Sequence, residues 1–369
     1  MVKLMDISKI DSNFKTVAVT ADDVEWHDPK IAPFSIRGIY FSKEENKYVR
    51  LPKSIGEQTN AGVLGLRSRT AGGRIRFKTD SPYIAIKSIS QNCAIMAHMP
   101  ITGTYGFSVY VNGIYYQKVM PDWPDIDRNE SDVEFDGMVK VAPYVDGEVY
   151  NVEIFTPLYS GVNEVYIGLQ ENCKILPADP YKYEQPIVFY GSSITQGACA
   201  SRPGNDYIGH LCRKLNTDVI NLGFSGSCRG EKVFADYLAT LDASIYVIDY
   251  DYNAPTVQHL KDTHYPLYQT LRNAHKDTPI VFISKPDFNS KHAFIEMKEE
   301  NVLRREVIFD TYTKAKAEGD KNVYFIDGES LFANVDYDAC TVDGCHPNDL
   351  GFYQIAQVVY PVLKNILEK

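Results

Sequence analysis

The stretch IVFYGSSITQG, residues 187–197, joins a short apolar run to a loop of small and polar residues. More apolar runs follow it, each about as long as a buried strand, and helix-length segments separate them. The segment from Ile355 to Leu367 carries one apolar stripe, which is typical of an amphipathic helix. Strands that alternate with helices predict a doubly wound α/β fold around a parallel five-stranded sheet. The later runs are 219–222, 245–248, 280–283 and 323–326.

The first half of the chain has the hydrophobic period of strands. Asn112-Gly113 lies between two apolar runs, and this dipeptide is the strongest short-range signal for a β-hairpin. Many short strands with closely spaced turns predict a jelly-roll-like β-sandwich, which we assign to residues 1–176. The strand-like runs are 74–78, 83–87, 107–111, 114–116, 150–155 and 165–169.

A proline-rich segment separates these two patterns. PADPYKYEQP, residues 177–186, contains three prolines in ten residues, and proline disfavours the interior of a sheet. We therefore predict an interdomain linker at 177–186, with a second domain over 187–369.

Composition restricts the class of protein. The chain has 369 residues, with 38 Lys and Arg against 48 Asp and Glu, and a net charge of −10. Such an acidic balance disfavours a nucleic-acid partner. No apolar run reaches the roughly 18 residues of a membrane helix, so a membrane partner is not expected either. The N-terminal MVKLMDISKIDSNFK lacks a signal-peptide core, and the seven cysteines form no C-x-x-C pair. These features predict a cytoplasmic protein with reduced thiols.

The residues that follow each strand of the predicted parallel sheet come together at one edge, where ligands bind. Ser193 follows the first strand, and a serine at a tight strand-to-helix turn can expose its hydroxyl as a nucleophile. The alternative is a loop that only caps a helix. The motif is not the G-x-S-x-G elbow, because Thr195 occupies the place of its second glycine.

Three later segments supply complementary groups. Gly226 follows the second strand and Asn253 the third, so a backbone N–H and an amide could both face an oxyanion. A plain βα turn and a helix N-cap are the alternatives for these two residues. Asp343 and His346 stand three residues apart before the last helix, where the carboxylate can orient the imidazole. The alternative there is an Asp-Gly turn beside a surface histidine.

The order of these four blocks resembles the SGNH, or GDSL-type, hydrolase superfamily over residues 185–367. The resemblance implies a flavodoxin-like hydrolase domain in which Ser193 is the nucleophile. His346 would be its general base and acid, with Asp343 as the orienting carboxylate. The oxyanion hole would consist of the backbone N–H groups of Ser193 and Gly226 and the side chain of Asn253.

Two positions depart from the family pattern. Ser192 stands where the family motif has Asp, and Tyr252-Asn253-Ala254 replaces the common Gly-x-Asn-Asp. The stretch VFYGSSITQGACASRPGNDY also resembles a branch that carries an N-terminal β-sandwich. That branch implies a carbohydrate or small-ester esterase.

From this resemblance we predict a serine esterase that hydrolyses short-chain esters, mainly acetyl esters, on a carbohydrate. It would need no metal and no organic cofactor. The alternatives are an esterase or acyltransferase for non-carbohydrate esters, and a carbohydrate-binding protein with a non-catalytic hydrolase domain. Its binding partner would be the substrate, a small-molecule or oligosaccharide ester. The sequence is also compatible with a homo-oligomer.

Two further features lie beside the predicted catalytic blocks. Arg202, in the loop after Ser193, is a candidate substrate-binding residue, although a solvated arginine is the simpler interpretation. Cys345 directly precedes His346, and three more cysteines lie in or near the blocks, which predicts sensitivity to thiol reagents. Cys340, Cys345 and His346 lie close together in the chain, but Cys-x₄-Cys-His is not a common spacing of zinc ligands, and small buried thiols explain it better.

Overall fold

A computed structural model of the chain describes residues 17–93, 96–122, 132–141, 148–286, 295–335 and 337–369. The prediction that there is no signal-peptide core concerns residues 1–15, which lie outside the described residues. None of the helices in the described ranges has the length and apolar character needed to cross a membrane.

The N-terminal region is built mainly from short strands. Three short helices interrupt them, and each contains at most seven residues. In chain order the elements are β1 (Val24–His27), β2 (Ser35–Arg37), β3 (Tyr40–Ser42), β4 (Lys47–Val49), α1 (Lys53–Thr59), α2 (Ala61–Leu66), β5 (Arg74–Thr79), β6 (Tyr83–Gln91), α3 (Ile101–Tyr105), β7 (Phe107–Val111), β8 (Ile114–Val119), β9 (Val133–Lys140), β10 (Tyr150–Phe155), β11 (Gly161–Gln170) and β12 (Ile175–Leu176).

Most of these strands form two antiparallel sheets that enclose one core, while β3 and β4 pair as a separate two-stranded sheet. One sheet has the order β1-β11-β6-β9, and the other has the order β12-β5-β10-β7-β8, with β2 paired to β5. Alternate residues of both sheets point inward, and Phe77, Ile86, Val109 and Ile154 are fully buried between them. The predicted β-sandwich is confirmed.

The predicted hairpin joins β7 and β8. Asn112 and Gly113 have φ values of +49° and +79°, as a type I′ turn requires at both central positions. The turn places Tyr110 opposite Tyr115 across the two strands.

The C-terminal region alternates strands with helices. Its elements are β13 (Tyr183–Gly191), α4 (Ser193–Gln196), α5 (Tyr207–Leu215), β14 (Thr217–Gly223), α6 (Lys232–Leu238), β15 (Ile245–Asp249), α7 (Val257–Ala274), β16 (Ile280–Ile283), α8 (Ile295–Ala317), β17 (Val323–Ile326) and α9 (Asp349–Leu367).

The five C-terminal strands pair in parallel in the order β14-β13-β15-β16-β17. This is the flavodoxin-like order, so the predicted α/β fold is confirmed. Apolar side chains cover both faces of the sheet. Phe189 packs in the core beside α5 and α9, and Tyr190 packs on the opposite face beside α6 and α7. The carboxyl ends of β13, β14 and β15 meet at one edge, where the site lies.

The two regions pack against each other. Phe155 and Tyr159 of the N-terminal region share a buried core with Phe189 and Tyr207. The Arg74 guanidinium, fully buried, pairs with the Asp218 carboxylate across the boundary. The residues predicted as a linker include Pro186, which lies inside β13 where its pairing with β14 shifts register. The N-terminal region is therefore part of the same packed body as the parallel sheet.

Candidate active site

Ser193 is the first residue of the short helix α4, directly after β13. Ser192 caps this helix. Its hydroxyl accepts a hydrogen bond from the Ile194 N–H at 3.2 Å, and its own N–H donates to Thr195 Oγ1 at 3.0 Å. This reciprocal pair is a capping box, which satisfies two backbone donors and fixes the turn. The turn therefore holds Ser193 at the carboxyl end of the central strand.

A partly buried carboxylate, Asp249 at the end of β15, anchors the same turn. The Thr195 hydroxyl donates to Asp249 Oδ1 at 2.6 Å, and the Tyr207 hydroxyl donates to Asp249 Oδ2 at 2.8 Å. Burial raises the pKa of Asp249 to about 7, although both hydrogen bonds act in the opposite direction. Gly191 is required beside it, because an added Cβ would come within 2.3 Å of Asp249 Oδ1.

Asp249, which anchors the turn that carries Ser193, was not among the site residues predicted from the sequence. Ser192 replaces the family's Asp, and the carboxylate of this turn comes instead from Asp249 on a neighbouring strand. The sequence feature that could have predicted this role is that Asp249 stands at the carboxyl end of a predicted buried strand.

Ser193, His346 and Asp343 form one continuous chain of polar contacts. Ser193 Oγ lies 3.0 Å from His346 Nε2, and His346 Nδ1 lies 2.7 Å from Asp343 Oδ2. Both distances are within hydrogen-bonding range. The structure brings together the three residues that the sequence predicted, in the order that a serine nucleophile, a base and an orienting carboxylate require.

Asp343 also holds its own loop. Its Oδ1 accepts hydrogen bonds from the backbone N–H groups of Cys345, at 2.9 Å, and of His346, at 2.7 Å. Partial burial acts to raise the pKa of the Asp343 carboxyl. The hydrogen bonds from the His346 ring and the backbone outweigh it and keep that pKa below its usual value. Asp343 is therefore set up to remain ionised beside the imidazole.

Besides Ser193, the two other predicted oxyanion-hole residues, Gly226 and Asn253, lie on adjoining loops. Asn253 Nδ2 donates to the Phe224 carbonyl at 3.0 Å, which ties the loop after β15 to the loop after β14. An amide NH₂ has two N–H donors, so Asn253 could use the other one for a substrate oxyanion. Gly226 has a φ of +66°, which favours glycine, and open space lies where a Cβ would project from it. Their oxyanion-hole role stays a prediction.

The N-terminal region contributes a wall of this site. The ring centroid of His98, just before α3, lies 5.5 Å from that of His346. The Tyr159 hydroxyl is 3.5 Å from the Ser193 carbonyl oxygen. Sequence reasoning passed over His98, because it is 248 positions from His346 and only the packing of the two regions brings the rings together.

Arg202 lies between the two regions. Its guanidinium donates to the Tyr110 hydroxyl at 2.8 Å and stands 3.9 Å from the centroid of the Tyr115 ring. Both tyrosines belong to the β7–β8 hairpin. The structure thus shows Arg202 in contact with the sandwich, and its predicted contact with substrate stays a prediction.

The cysteines near the site are free thiols. Burial raises the pKa of Cys199 to about 12 and that of Cys345 to about 11. Such thiols are almost entirely protonated at neutral pH, and the thiolate is the reactive form. The predicted sensitivity to thiol reagents stays a prediction, and these pKa values favour slow modification.

Comparison with known proteins agrees with this arrangement. The family model of the GDSL-like lipase/acylhydrolase family matches residues 184–364. The model of the N-terminus of SGNH-hydrolase-type esterases matches residues 24–175. No curated protein matches the chain.

Solved structures with the same architecture carry several activities. A protein described as a GDSL-like lipase from Bacteroides ovatus superposes with a TM-score of 0.80 at 26% identity, over 94% of this chain and 98% of that one. The salicylyl-acyltransferase of a tetracycline biosynthetic pathway gives 0.75 at 18% identity, over 94% and 98%. An acetyl xylan esterase from the rumen bacterium Butyrivibrio proteoclasticus gives 0.59 at 12% identity, over 94% and 99%.

Together the two family matches take in most of the chain. The protein belongs to the SGNH, or GDSL-type, hydrolases, in the branch whose esterase domain follows an N-terminal β-sandwich. It is a hydrolase of the esterase class.

Proposed function

We propose that this protein is a serine esterase that removes short acyl groups, mainly acetyl, from a carbohydrate through an acyl-Ser193 intermediate. The observation that carries the proposal is the contact chain from Ser193 Oγ through the His346 ring to the Asp343 carboxylate. The carbohydrate and acetyl parts are supported by the structural similarity to an acetyl xylan esterase.

Acylation begins at the Ser193 hydroxyl. His346 Nε2, 3.0 Å away, accepts the proton as Oγ attacks the ester carbonyl. Asp343, held ionised by its hydrogen bonds, stabilises the resulting imidazolium through Nδ1. The tetrahedral oxyanion would accept hydrogen bonds from the backbone N–H groups of Ser193 and Gly226 and from the side-chain amide of Asn253. Each such donor is worth on the order of 3 kcal/mol in the transition state.

Collapse of this intermediate releases the alcohol, which takes the proton from His346. The acyl group then stays on Ser193 Oγ. A water molecule, deprotonated by His346, attacks the acyl carbon and frees the carboxylic acid. The serine regains its proton, and no metal or organic cofactor takes part in these steps.

An acyltransferase is the second candidate. The salicylyl-acyltransferase superposes with a TM-score of 0.75, above the 0.59 of the acetyl xylan esterase. The acyl-Ser193 intermediate would be the same, and a bound alcohol would replace water in the second step. The two activities therefore differ only in the acceptor.

A panel of esters and acceptors separates these proposals. Acetylated xylo-oligosaccharides and aryl esters of increasing acyl length would be compared by kcat/KM, with and without added alcohols. We expect the highest values for acetyl esters and for acetylated sugars, with free acid as the product. A preference for long acyl chains would contradict the carbohydrate acetylesterase proposal. Transfer to an alcohol in preference to water would identify an acyltransferase.

A further inference from the structure

Three metal-ligating side chains converge beside the serine. One ring nitrogen of His98, one of His346 and the Cys199 sulfur all lie within 4.8 Å of one another. This is the one group of three such ligands in the part of the chain that the structure describes. It joins a histidine of the N-terminal region to two residues of the parallel-sheet region.

The hydrogen bonds of His346 leave the correct nitrogen for coordination. Its Nδ1 is engaged by Asp343 Oδ2 at 2.7 Å, so Nε2 is the nitrogen left to bind a metal ion, in exchange for its contact with Ser193 Oγ. A histidine that ligates zinc commonly donates its other nitrogen to a carboxylate, which fixes the ring and raises its basicity. The pair that would activate Ser193 therefore also has the form of a zinc-ligating pair.

The other two ligands match the same type of cation. Cys199 is 5% exposed and has an uncommon φ of +70° for a residue other than glycine. His98 is partly exposed at the rim of the site, with its ring beside that of His346. Two imidazoles and one thiolate suit zinc in preference to Mg²⁺ or Ca²⁺, which take oxygen ligands.

The distances allow closure around a small ion. Tetrahedral zinc has bonds of about 2.0–2.3 Å, so its ligand atoms stand roughly 3.3–3.8 Å apart. From separations of up to 4.8 Å, the three atoms would need to approach one another by about 1.5 Å at most. A water molecule or Ser193 Oγ would complete four-coordination, as in zinc sites with three protein ligands.

We propose that His98, Cys199 and His346 bind Zn²⁺ and that this binding switches the hydrolase off. On binding, the Cys199 thiol releases its proton to solvent and its sulfur bonds to zinc. His346 Nε2 exchanges its contact with Ser193 Oγ for a bond to zinc, so it no longer accepts the serine proton. The inhibition rests on the proposed catalytic role of His346, whereas the binding of zinc does not.

Binding is measured directly on the tag-free full chain. Isothermal titration calorimetry with Zn²⁺ should give one site per chain. Co²⁺ in its place should give a thiolate-to-cobalt charge-transfer band. Loss of one ligand in His98→Ala should weaken binding at least as much as the roughly 10–100-fold typical of outer-shell partners. Cys199→Ser should lose the charge-transfer band, and His98→Ala covers the case in which the buried Cys199 variant does not fold.

Matched controls keep the test specific. Cys345→Ser changes a partly buried thiol outside the cluster, and His259→Ala changes a histidine on α7, so both should bind Zn²⁺ like the unaltered protein. Equal affinity in all four variants, or no binding at one site per chain, would overturn the proposal. Aryl-acetate hydrolysis, measured in parallel, should fall with zinc occupancy and return when a chelator is added. Zinc binding without inhibition would overturn the switch and leave the binding site in place.

Discussion

The predicted nucleophile, Ser193, and its predicted base, His346, are held in opposite ways. The turn that carries Ser193 is packed inside the protein, with Ser192 and Ser193 only 1% and 8% exposed. The loop that carries His346 lies near the surface, where the side chains of His346 and Asp343 are 21% and 33% exposed. One half of the site depends on the core, and the other half depends on local hydrogen bonds.

The histidine loop is fixed by contacts within itself. The Val342 N–H donates to the His346 carbonyl at 2.9 Å, and Thr341 forms an isolated bridge with Pro347. Gly344 turns the chain with a φ of +78°. Asp343 adds two hydrogen bonds to backbone N–H groups of the same loop. We infer that substitutions in this loop affect activity more than folding, while substitutions around the serine turn affect both.

The largest expected effect is that of Ser193→Ala. Removing the nucleophile should lower kcat for aryl-acetate hydrolysis by about 10⁴-fold or more, because the remaining groups can only polarise the ester. The fold should persist, since the change deletes one oxygen atom. The measurement is steady-state hydrolysis together with a thermal melt. Retention of full activity would show that Ser193 is not the nucleophile.

Asp343→Asn should give the next largest loss. The amide cannot stabilise an imidazolium, and it favours the wrong tautomer of His346, so kcat should fall by about 10³–10⁴-fold. The thermal melt should move little, because an amide oxygen can still accept from the backbone N–H groups of the loop. A large destabilisation with nearly unchanged kcat would contradict the division between the two halves of the site.

Asp249→Asn tests the part of the site that holds Ser193, through the pH dependence of the free energy of unfolding. Burial raises the folded pKa of Asp249 from 3.8 to about 7, so the folded protein binds more protons than the unfolded chain between these values. Its contribution to stability is then present at low pH and is lost as pH rises from about 4 to about 7. At 1.36 kcal/mol for each pKa unit, the loss is at most about 4 kcal/mol.

The variant should lack this part of the pH dependence. Urea unfolding at pH 5 and at pH 8 would be compared for both proteins. The free energy of unfolding of the unaltered protein should fall relative to that of Asp249→Asn as pH rises. An equal pH dependence in the two proteins would show that Asp249 is not protonated preferentially in the fold.

The smallest effect is expected for Arg202→Ala. The guanidinium contacts Tyr110 and Tyr115, so its loss should lower the free energy of unfolding by about 1–3 kcal/mol. KM for a small aryl ester should stay unchanged, since the contacts in the structure are to the sandwich. A clear rise in KM with unchanged stability would instead support the substrate-binding role predicted from the sequence.

Much of the fold could be predicted because its signals are local. The period of apolar residues separates the sandwich from the parallel sheet, and Asn112-Gly113 marks a hairpin. Local motifs predict Ser193, Asp343 and His346, since each follows a strand or precedes a helix in a fixed order.

The parts that escaped prediction depend on contacts between distant residues. Asp249 contacts Thr195 and Tyr207 only after β15 pairs with β13 and the helices α4 and α5 pack beside them. His98 reaches His346 only because the sandwich packs against the parallel-sheet region. The sequence around Asp249 and around His98 contains no motif that marks a site. Pro186 is compatible with a linker as well as with a position in a strand.

Covalent labelling by a fluorophosphonate tests most directly whether Ser193 is an activated nucleophile. The intact mass should rise by one adduct per chain, peptide mapping should place the adduct on Ser193, and Ser193→Ala should not be labelled. A protein that remains unlabelled, or that is labelled at another residue, would contradict the proposed mechanism and favour a non-catalytic carbohydrate-binding protein.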